Sequence, residues 1–199
     1  RLLMREVSHR TKNLLAIVQS VAVQTARHSS DIDQFLEKFR GRLYALSSTQ
    51  DLVTDSDWSG TQFRDLLTAQ MTRLGLDLHS KARISGANPL LGPNAALHVG
   101  LAIHELGANA RVYGALAPGT EGSVEIDALI SDEPGTSGSL VIDWHEQGSL
   151  RDPSEGTSGF GSLMLERIVP LSVGGSAALT RSKAGVHYRL TVPADQLSS

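Results

Sequence analysis

The fold is decided by residues 93–144, PNAALHVGLAIHELGANARVYGALAPGTEGSVEIDALISDEPGTSGSLVIDW. A long stretch of helical character, 93–113, is followed by two stretches of alternating apolar residues, 124–130 and 140–144. Such alternation is typical of half-buried strands, and the turn-rich segment 131–138 predicts a connection between them. Helices combined with hairpin-linked strands indicate an α+β two-layer sandwich.

The segments around this stretch extend the same pattern. Gly114 is expected to end the long helix, since glycine tolerates the left-handed conformation found there. A short helix is predicted over 61–74 and a weak strand over 83–85. Towards the carboxyl end, 163–169 has helical character and 186–192 alternates again.

The first quarter of the chain has a different period. Seam positions recur at alternating spacings of four and three: Leu3, Val7, Arg10, Leu14, Ile17 and Val21, then Ile32, Leu36, Phe39, Leu43, Leu46, Gln50 and Val53. Ser30 with Asp33 resembles a capping box and marks the start of the second helix. The pattern predicts a helical hairpin over 1–56, followed by the sandwich over 57–199. Pairing with a second copy into a four-helix bundle would cover its apolar surface, as would packing on another domain.

The composition excludes several classes of function. The net charge of -3 gives no reason to expect nucleic acid or an anionic membrane as a partner. The absence of cysteine excludes disulfides, thiol catalysis and cysteine zinc sites. No apolar run approaches the roughly 20 residues that span a bilayer, so a cytoplasmic location is expected. The chain begins at Arg1 in apparent helix, which suggests a missing upstream sensory domain, although a shortened start would explain it equally well.

One histidine in the first predicted helix has neighbours that could support phosphoryl chemistry. His9 lies off the seam, so it should face solvent, and Asn13 follows one turn later on the same face. Arg10 and Lys12 would attract an anionic donor, and a neutral imidazole nitrogen can attack a phosphoryl group. For an isolated histidine, an ordinary solvated helix face is the more frequent explanation.

Two polar residues lie one turn apart on the long helix. Glu105 and Asn109 could take a proton and ligate Mg²⁺, which prefers oxygen ligands. A solvated polar stripe is the alternative. His104, taken alone, suggests a hydrogen-bonded structural histidine rather than a ligand.

The second strand leads into a carboxylate and a glycine. Glu146 follows Trp144 after the strand, and it could accept a hydrogen bond from an adenine amino group while Gly148 lets backbone pass close by. Closing of the core by tryptophan and turn residues is the alternative.

A second pair of glycines precedes a helix. Gly159-Phe160-Gly161 would let backbone N–H groups face phosphates, or it is a simple helix start. The polar segment 148–159 suits a mobile lid over a nucleotide.

In this order, the motifs resemble those of the HWE family of bacterial sensor histidine kinases. Residues 6–15, EVSHRTKNLL, resemble its phosphoacceptor box, and 104–110, HELGANA, with 113–116, YGAL, resemble its N box. Trp144-His145-Glu146 supplies the Trp-x-Glu of the family, and Gly159-Phe160-Gly161 resembles its second glycine box. The resemblance spans nearly the whole chain.

The resemblance implies a dimerisation and phosphotransfer hairpin joined to a GHKL-type (Hsp90/gyrase/MutL-like) ATP-binding domain. It implies His9 as phosphoacceptor with Asn13 beside it, Asn109 as Mg²⁺ ligand, Glu105 as candidate general base and Glu146 as adenine-reading carboxylate. Four further positions would adjoin the nucleotide, besides His104 of the N box: Gly148, Gly159, Phe160 and Gly161. The cofactors are then ATP and Mg²⁺, and the partner is the receiver domain of a response regulator.

Two motifs depart from the family pattern. Val112 stands where the family usually has a lysine that would meet phosphates, and Gln147-Gly148-Ser149 replaces Gly-Gly-Pro. These departures keep a second hypothesis open, a catalytically weak phosphotransfer or phosphatase module. A GHKL ATPase of another kind is a third, against which the hairpin with His9 and Asn13 argues.

Overall fold

The computed structural model describes residues 2–76, 80–148 and 160–198. The chain divides into two compact units, Arg1–Tyr44 and Ala45–Ser199, and each is described by itself. No helix in the described ranges is both long enough and apolar enough to cross a membrane.

The first unit contains the first helix and the first part of the second, which are most of the predicted helical hairpin. Helix α1 spans Leu2–Arg27, and helix α2, Ile32–Asp55, begins in this unit. Near the turn, the buried Arg42 donates a hydrogen bond of 3.0 Å to the Thr25 hydroxyl. This bond satisfies a buried hydroxyl and links the two helices.

The residue that caps α2 lies one position later than predicted. Asp31 rather than Ser30 caps the helix, because its Oδ1 accepts a 2.8 Å hydrogen bond from the backbone N–H of Gln34. The Gln34 side chain reaches back to accept one from the backbone N–H of Ser30 at 2.9 Å. The backbone hydrogen bond from Gln34, helped by the Ser30 hydroxyl, lowers the pKa of Asp31.

The last part of α2 packs within the second unit. Gln70 of helix α3, Phe63–Arg73, is fully buried, and its Nε2 donates at 3.0–3.1 Å to the carbonyl of Ala45 and the hydroxyls of Ser48 and Thr49. The contacts therefore divide the chain inside α2, eleven residues before its end. A functional division at 56/57 stays a prediction.

The second unit is an α+β two-layer sandwich, as predicted. Its main sheet has the order β2-β4-β5-β7-β6, in which β2 is parallel to β4 and the other neighbours are antiparallel. These strands are β2 Ala82–Gly86, β4 Ser123–Ile130, β5 Leu140–Gln147, β6 Ser176–Ser182 and β7 Gly185–Val192. A small sheet joins β1 Thr61–Gln62, β3 Leu90–Leu91 and β8 Leu197–Ser198.

The helices of this unit form the second layer. Helix α4 spans Pro93–Val112, with proline in its first turn, where no N–H is needed. A later helical segment runs through α5 Phe160–Leu163, a π-helical turn Met164–Ile168 and α6 Val169–Val173. The core side of the sheet is apolar at alternating positions, with Trp144 and Tyr188 fully buried.

Several elements differ from the prediction. Strand β5 continues to Gln147 and pairs along its full length, so Glu146 lies inside the strand rather than after it. Helix α4 ends at Val112 and is followed by the C-cap Tyr113 at φ −117°, and Gly114 does not take the left-handed conformation expected of it. The predicted helix over 61–74 begins with the short strand β1.

Candidate active site

The predicted phosphoacceptor, His9, and its neighbour Asn13 lie on an exposed face of α1. His9 and Asn13 are both exposed, and Asn13 Nδ2 lies 3.4 Å from His9 Nδ1. The two ends of an amide side chain are interchangeable by a flip, so Asn13 can equally present Oδ1 to a protonated Nδ1. In that tautomer the other ring nitrogen, Nε2, carries the free lone pair, which is the nucleophilic one.

The two polar residues of α4 converge on the start of α5. A Cβ placed on Gly161 would lie 3.0 Å from Glu105 Oε2 and 3.7 Å from Asn109 Nδ2. Glu105 is only 5% exposed, so it is not part of a solvated stripe. The N-box and second-glycine-box residues therefore form one site, in which the missing side chain of Gly161 leaves room beside the carboxylate.

Glu146 is held by two hydrogen bonds on the core side of β5. Trp144 Nε1 donates to Oε1 at 3.0 Å, and the backbone N–H of Ala115 donates to Oε2 at 3.2 Å. Residues two apart on a strand share a face, which explains the Trp-x-Glu spacing. Burial raises the pKa of Glu146, and the two donors oppose that rise.

Two glycines are explained by close approach to this region. A side chain at Gly114 would overlap Glu146 Oε2, so glycine at this position lets the end of α4 approach the carboxylate. Gly148 has φ 128°, and a side chain there would overlap the backbone of Gly122. The sequence did not predict the contacts of Glu146 with 114–115, although the YGAL segment was a signal for them.

The remaining predicted site residues are His104, which is described, and residues at the edge of or outside the described ranges. His104 is buried next to Glu105. Gly159 and the proposed lid segment 149–158 lie outside the described residues, and Phe160 opens α5.

The cations near the end of α4 differ from the family pattern. Val112 is exposed, and the neighbouring Arg111 donates a 2.7 Å hydrogen bond to the carbonyl of Leu74. A different arginine, Arg181 of β6, donates to the Ser162 hydroxyl at 3.0 Å and acts electrostatically on Glu146. Strand alternation would have placed it on the core side, but β6 was not predicted.

The opposite face of the sheet carries a separate polar cluster. Potential metal-ligand atoms of Asp143, His145 and His187 lie within 4.8 Å of one another. However, Arg189 holds both carboxylate oxygens of Asp143 at 2.9 Å, and the two imidazole rings stack at 3.9 Å and 11° instead of converging on a point. We therefore interpret the cluster as an ion-paired network between β5 and β7.

The fold and site together define a class of protein. A hairpin with an exposed histidine precedes a two-layer sandwich, in which α4 approaches the start of α5 at Glu105 and Gly161 and the end of β5 at Gly114 and Glu146. This is the architecture of a histidine kinase transmitter region.

Comparison with known sequences agrees with this class. The HWE histidine kinase family profile matches residues 6–88. The blue-light-activated histidine kinase 1 of Erythrobacter litoralis is 30% identical over 196 residues, which are 96% of this chain and 52% of the relative. A blue-light-activated histidine kinase of Brucella anthropi is 30% identical over 168 residues, 84% of this chain and 34% of the relative. The chain thus spans about half or less of these relatives.

Solved structures share the fold. The blue-light-activated histidine kinase EL346 of Erythrobacter litoralis superposes with a TM-score of 0.60 at 20% identity, covering 98% of this chain and 59% of that one. The histidine kinase domain of the same protein gives a TM-score of 0.56 at 16% identity, covering 92% and 85%. By its profile match and its sequence relatives the chain is similar to the HWE family of histidine kinases, and the solved structures share its fold.

Proposed function

We propose that the chain is an ATP-dependent protein-histidine kinase that phosphorylates His9 and passes the phosphoryl group to an aspartate of a response regulator receiver domain. The observation that carries this proposal is the convergence of Glu105, Asn109 and Gly161 on one site. A carboxylate, an amide and an uncovered backbone segment suit the triphosphate end of a nucleotide.

The adenine end is assigned to Glu146. Its two hydrogen bonds, from Trp144 and Ala115, stabilise the ionised form and fix its orientation. An ionised carboxylate accepts the hydrogen bond of the adenine amino group, which a guanine carbonyl at the same position does not donate.

The residues present also fit Mg²⁺. The Asn109 side-chain oxygen would be the ligand, with the Glu105 carboxylate beside it, because Mg²⁺ prefers oxygen donors. When bound, the ion would neutralise part of the negative charge of the triphosphate.

The transfer itself needs a nucleophile and a leaving group. Nε2 of His9 forms a bond to the γ-phosphorus, the bond between that phosphorus and the bridging oxygen breaks, and ADP leaves. Asn13 holds Nδ1–H, so the positive charge formed on the ring is oriented and partly stabilised. Glu105, the candidate base, accepts the Nδ1 proton of the phosphorylated ring. When a receiver carboxylate attacks the same phosphorus and the N–P bond breaks, that proton returns to Nδ1 and His9 leaves as the neutral imidazole.

The nucleotide assignment is tested with Asn109→Ala. Mg-ATP affinity, measured by calorimetry, should fall at least about tenfold, since a charge-assisted contact is lost. Asn94→Ala is the matched control at the other end of α4, where Asn94 bonds to Ser172 and Gln196. Equal Mg-ATP affinity in Asn109→Ala and wild type would contradict the assignment.

One observation favours the second hypothesis, a weakly catalytic phosphotransfer module. The N-box lysine position is taken by exposed Val112, and Arg111 is engaged with Leu74. Under this hypothesis Val112→Lys raises a low rate of self-labelling, whereas a wild type that already labels rapidly would reject it.

A further inference from the structure

Arg181 lies in register with the adenine-reading carboxylate. In the main sheet Glu146 is directly opposite Val186, and Val186 is directly opposite Arg181. Directly opposite residues point to the same face of a sheet. The row therefore runs across three strands on the core side, with an acid on β5 and a base on the edge strand β6.

The same arginine contacts the first turn of α5. Its Nη2 donates a 3.0 Å hydrogen bond to the Ser162 hydroxyl, one residue after Gly161. Gly161 is the residue that faces Glu105 and Asn109. Arg181 thus adjoins both parts of the proposed nucleotide site, the Glu146 part by register and the α5 part by direct contact.

We propose that Arg181 is a positioning residue of the nucleotide site, which keeps Glu146 in its acceptor form and anchors the first turn of α5 against β6. This inference rests on the proposed function and adds a residue to it. Arg181 is not proposed to touch the nucleotide.

The electrostatics agree with the geometry. Burial raises the pKa of Glu146, and Arg181 is the charged group among the described residues that opposes this; the other two opposing groups, Trp144 and Ala115, are neutral donors. A protonated Glu146 would no longer be an acceptor-only group, so its preference for an amino donor on the base would weaken. The guanidinium of Arg181 can donate a hydrogen bond to Ser162 while its positive charge stabilises the Glu146 carboxylate.

The test compares Arg181→Met and Arg181→Lys with wild type in the full chain. ADP and GDP affinities are measured by calorimetry at pH 8 and pH 6. For Arg181→Met we expect ADP affinity to fall about tenfold at pH 8. The ratio of ADP to GDP affinity should also decrease. The loss of ADP affinity between pH 8 and pH 6 should be larger in Arg181→Met than in wild type, because the pKa of Glu146 rises without the cation. Arg181→Lys, which keeps the charge, should recover most of the selectivity.

Arg83→Met is the matched control, since Arg83 is an exposed strand arginine with a loose 4.0 Å contact to Glu125. Wild-type affinity, selectivity and pH dependence in Arg181→Met would overturn the inference. Equal losses in Arg181→Lys and Arg181→Met would also overturn it, since charge would then be irrelevant. If wild type itself binds neither nucleotide, the proposed function fails rather than the role of Arg181.

Discussion

His9 and Glu146 have opposite environments, and each suits a different task. His9 is exposed on α1, where a bulky donor can approach its ring. Glu146 is 4% exposed and fixed by hydrogen bonds from Trp144 and Ala115. A nucleophile needs access and the right tautomer, whereas a base-reading group needs a fixed direction and exclusion of water.

The orientation of His9 is tested with Asn13→Ala. Loss of the amide frees the ring to rotate and leaves its tautomer unfixed, so the initial rate of self-labelling should fall about tenfold or more. ATP affinity should stay unchanged, because Asn13 is not assigned to the nucleotide site. Gln19→Ala, an exposed polar change on the same helix, is the control. An unchanged labelling rate in Asn13→Ala would remove Asn13 from the mechanism.

Much of the geometry of the candidate site could be predicted from residue spacing. The pairs His9/Asn13 and Glu105/Asn109 lie one helical turn apart, and a turn fixes which side chains share a face. What the sequence did not reveal depends on partners distant in the chain. The place of Arg181 beside the candidate site depends on the pairing register across three strands. The sequence of β6 alternates too weakly between apolar and polar residues to be recognised as a strand.

Strand and helix ends were the least predictable parts for a related reason. Glu146 was expected after the strand because the alternation of apolar residues ends at Trp144, but pairing with both β4 and β7 extends the strand to Gln147. Gly114 was expected to be left-handed from its place after α4. Its actual requirement is steric, since Glu146 lies against it.

Strands β5 and β7 are linked by the ion pair between Asp143 and Arg189. Burial would raise the pKa of Asp143, but hydrogen bonds and charge from Arg189 and His187 outweigh it, and the pKa is lowered below 3.8. A carboxyl with a lowered folded-state pKa contributes stability that is present above its unfolded-state pKa. That stability is lost as the pH falls through the folded-state pKa.

Arg189→Met should therefore destabilise the protein by about 1–2 kcal/mol near pH 7, since the bidentate pair is partly screened by solvent. The difference from wild type should shrink as the pH falls below about 4. Urea unfolding at several pH values measures both effects. Arg83→Met, with its exposed 4.0 Å pair, should change stability by less than about 0.5 kcal/mol. A pH-independent loss in Arg189→Met would mean that packing, not charge, is the cause.

The molecule as a whole consists of two units whose boundary lies within α2. Residues 45–55 belong to the second unit, where Leu46 and Val53 are buried and Gln70 bonds to Ala45, Ser48 and Thr49. Removing this segment would expose apolar surface and leave the buried Gln70 amide without these acceptors.

A fragment of residues 45–199 should consequently be more stable than one of 57–199. We expect a difference on the order of 3–5 kcal/mol from lost burial and hydrogen bonding, measured by urea unfolding of the two fragments. Both contain every residue assigned to the nucleotide, so 45–199 should bind ADP but not label itself. Equal stability of the two fragments would show that the end of α2 is not part of the second unit.

The central claim is transfer of the γ-phosphoryl group of ATP to His9. The direct measurement is incubation of wild type and His9→Ala with Mg²⁺ and γ-labelled ATP, followed by acid treatment of the label. The account predicts acid-labile label on wild type, and none on His9→Ala, which should still bind ATP with wild-type affinity. Label that persists in His9→Ala, or a wild type that binds Mg-ATP and never labels, would contradict it.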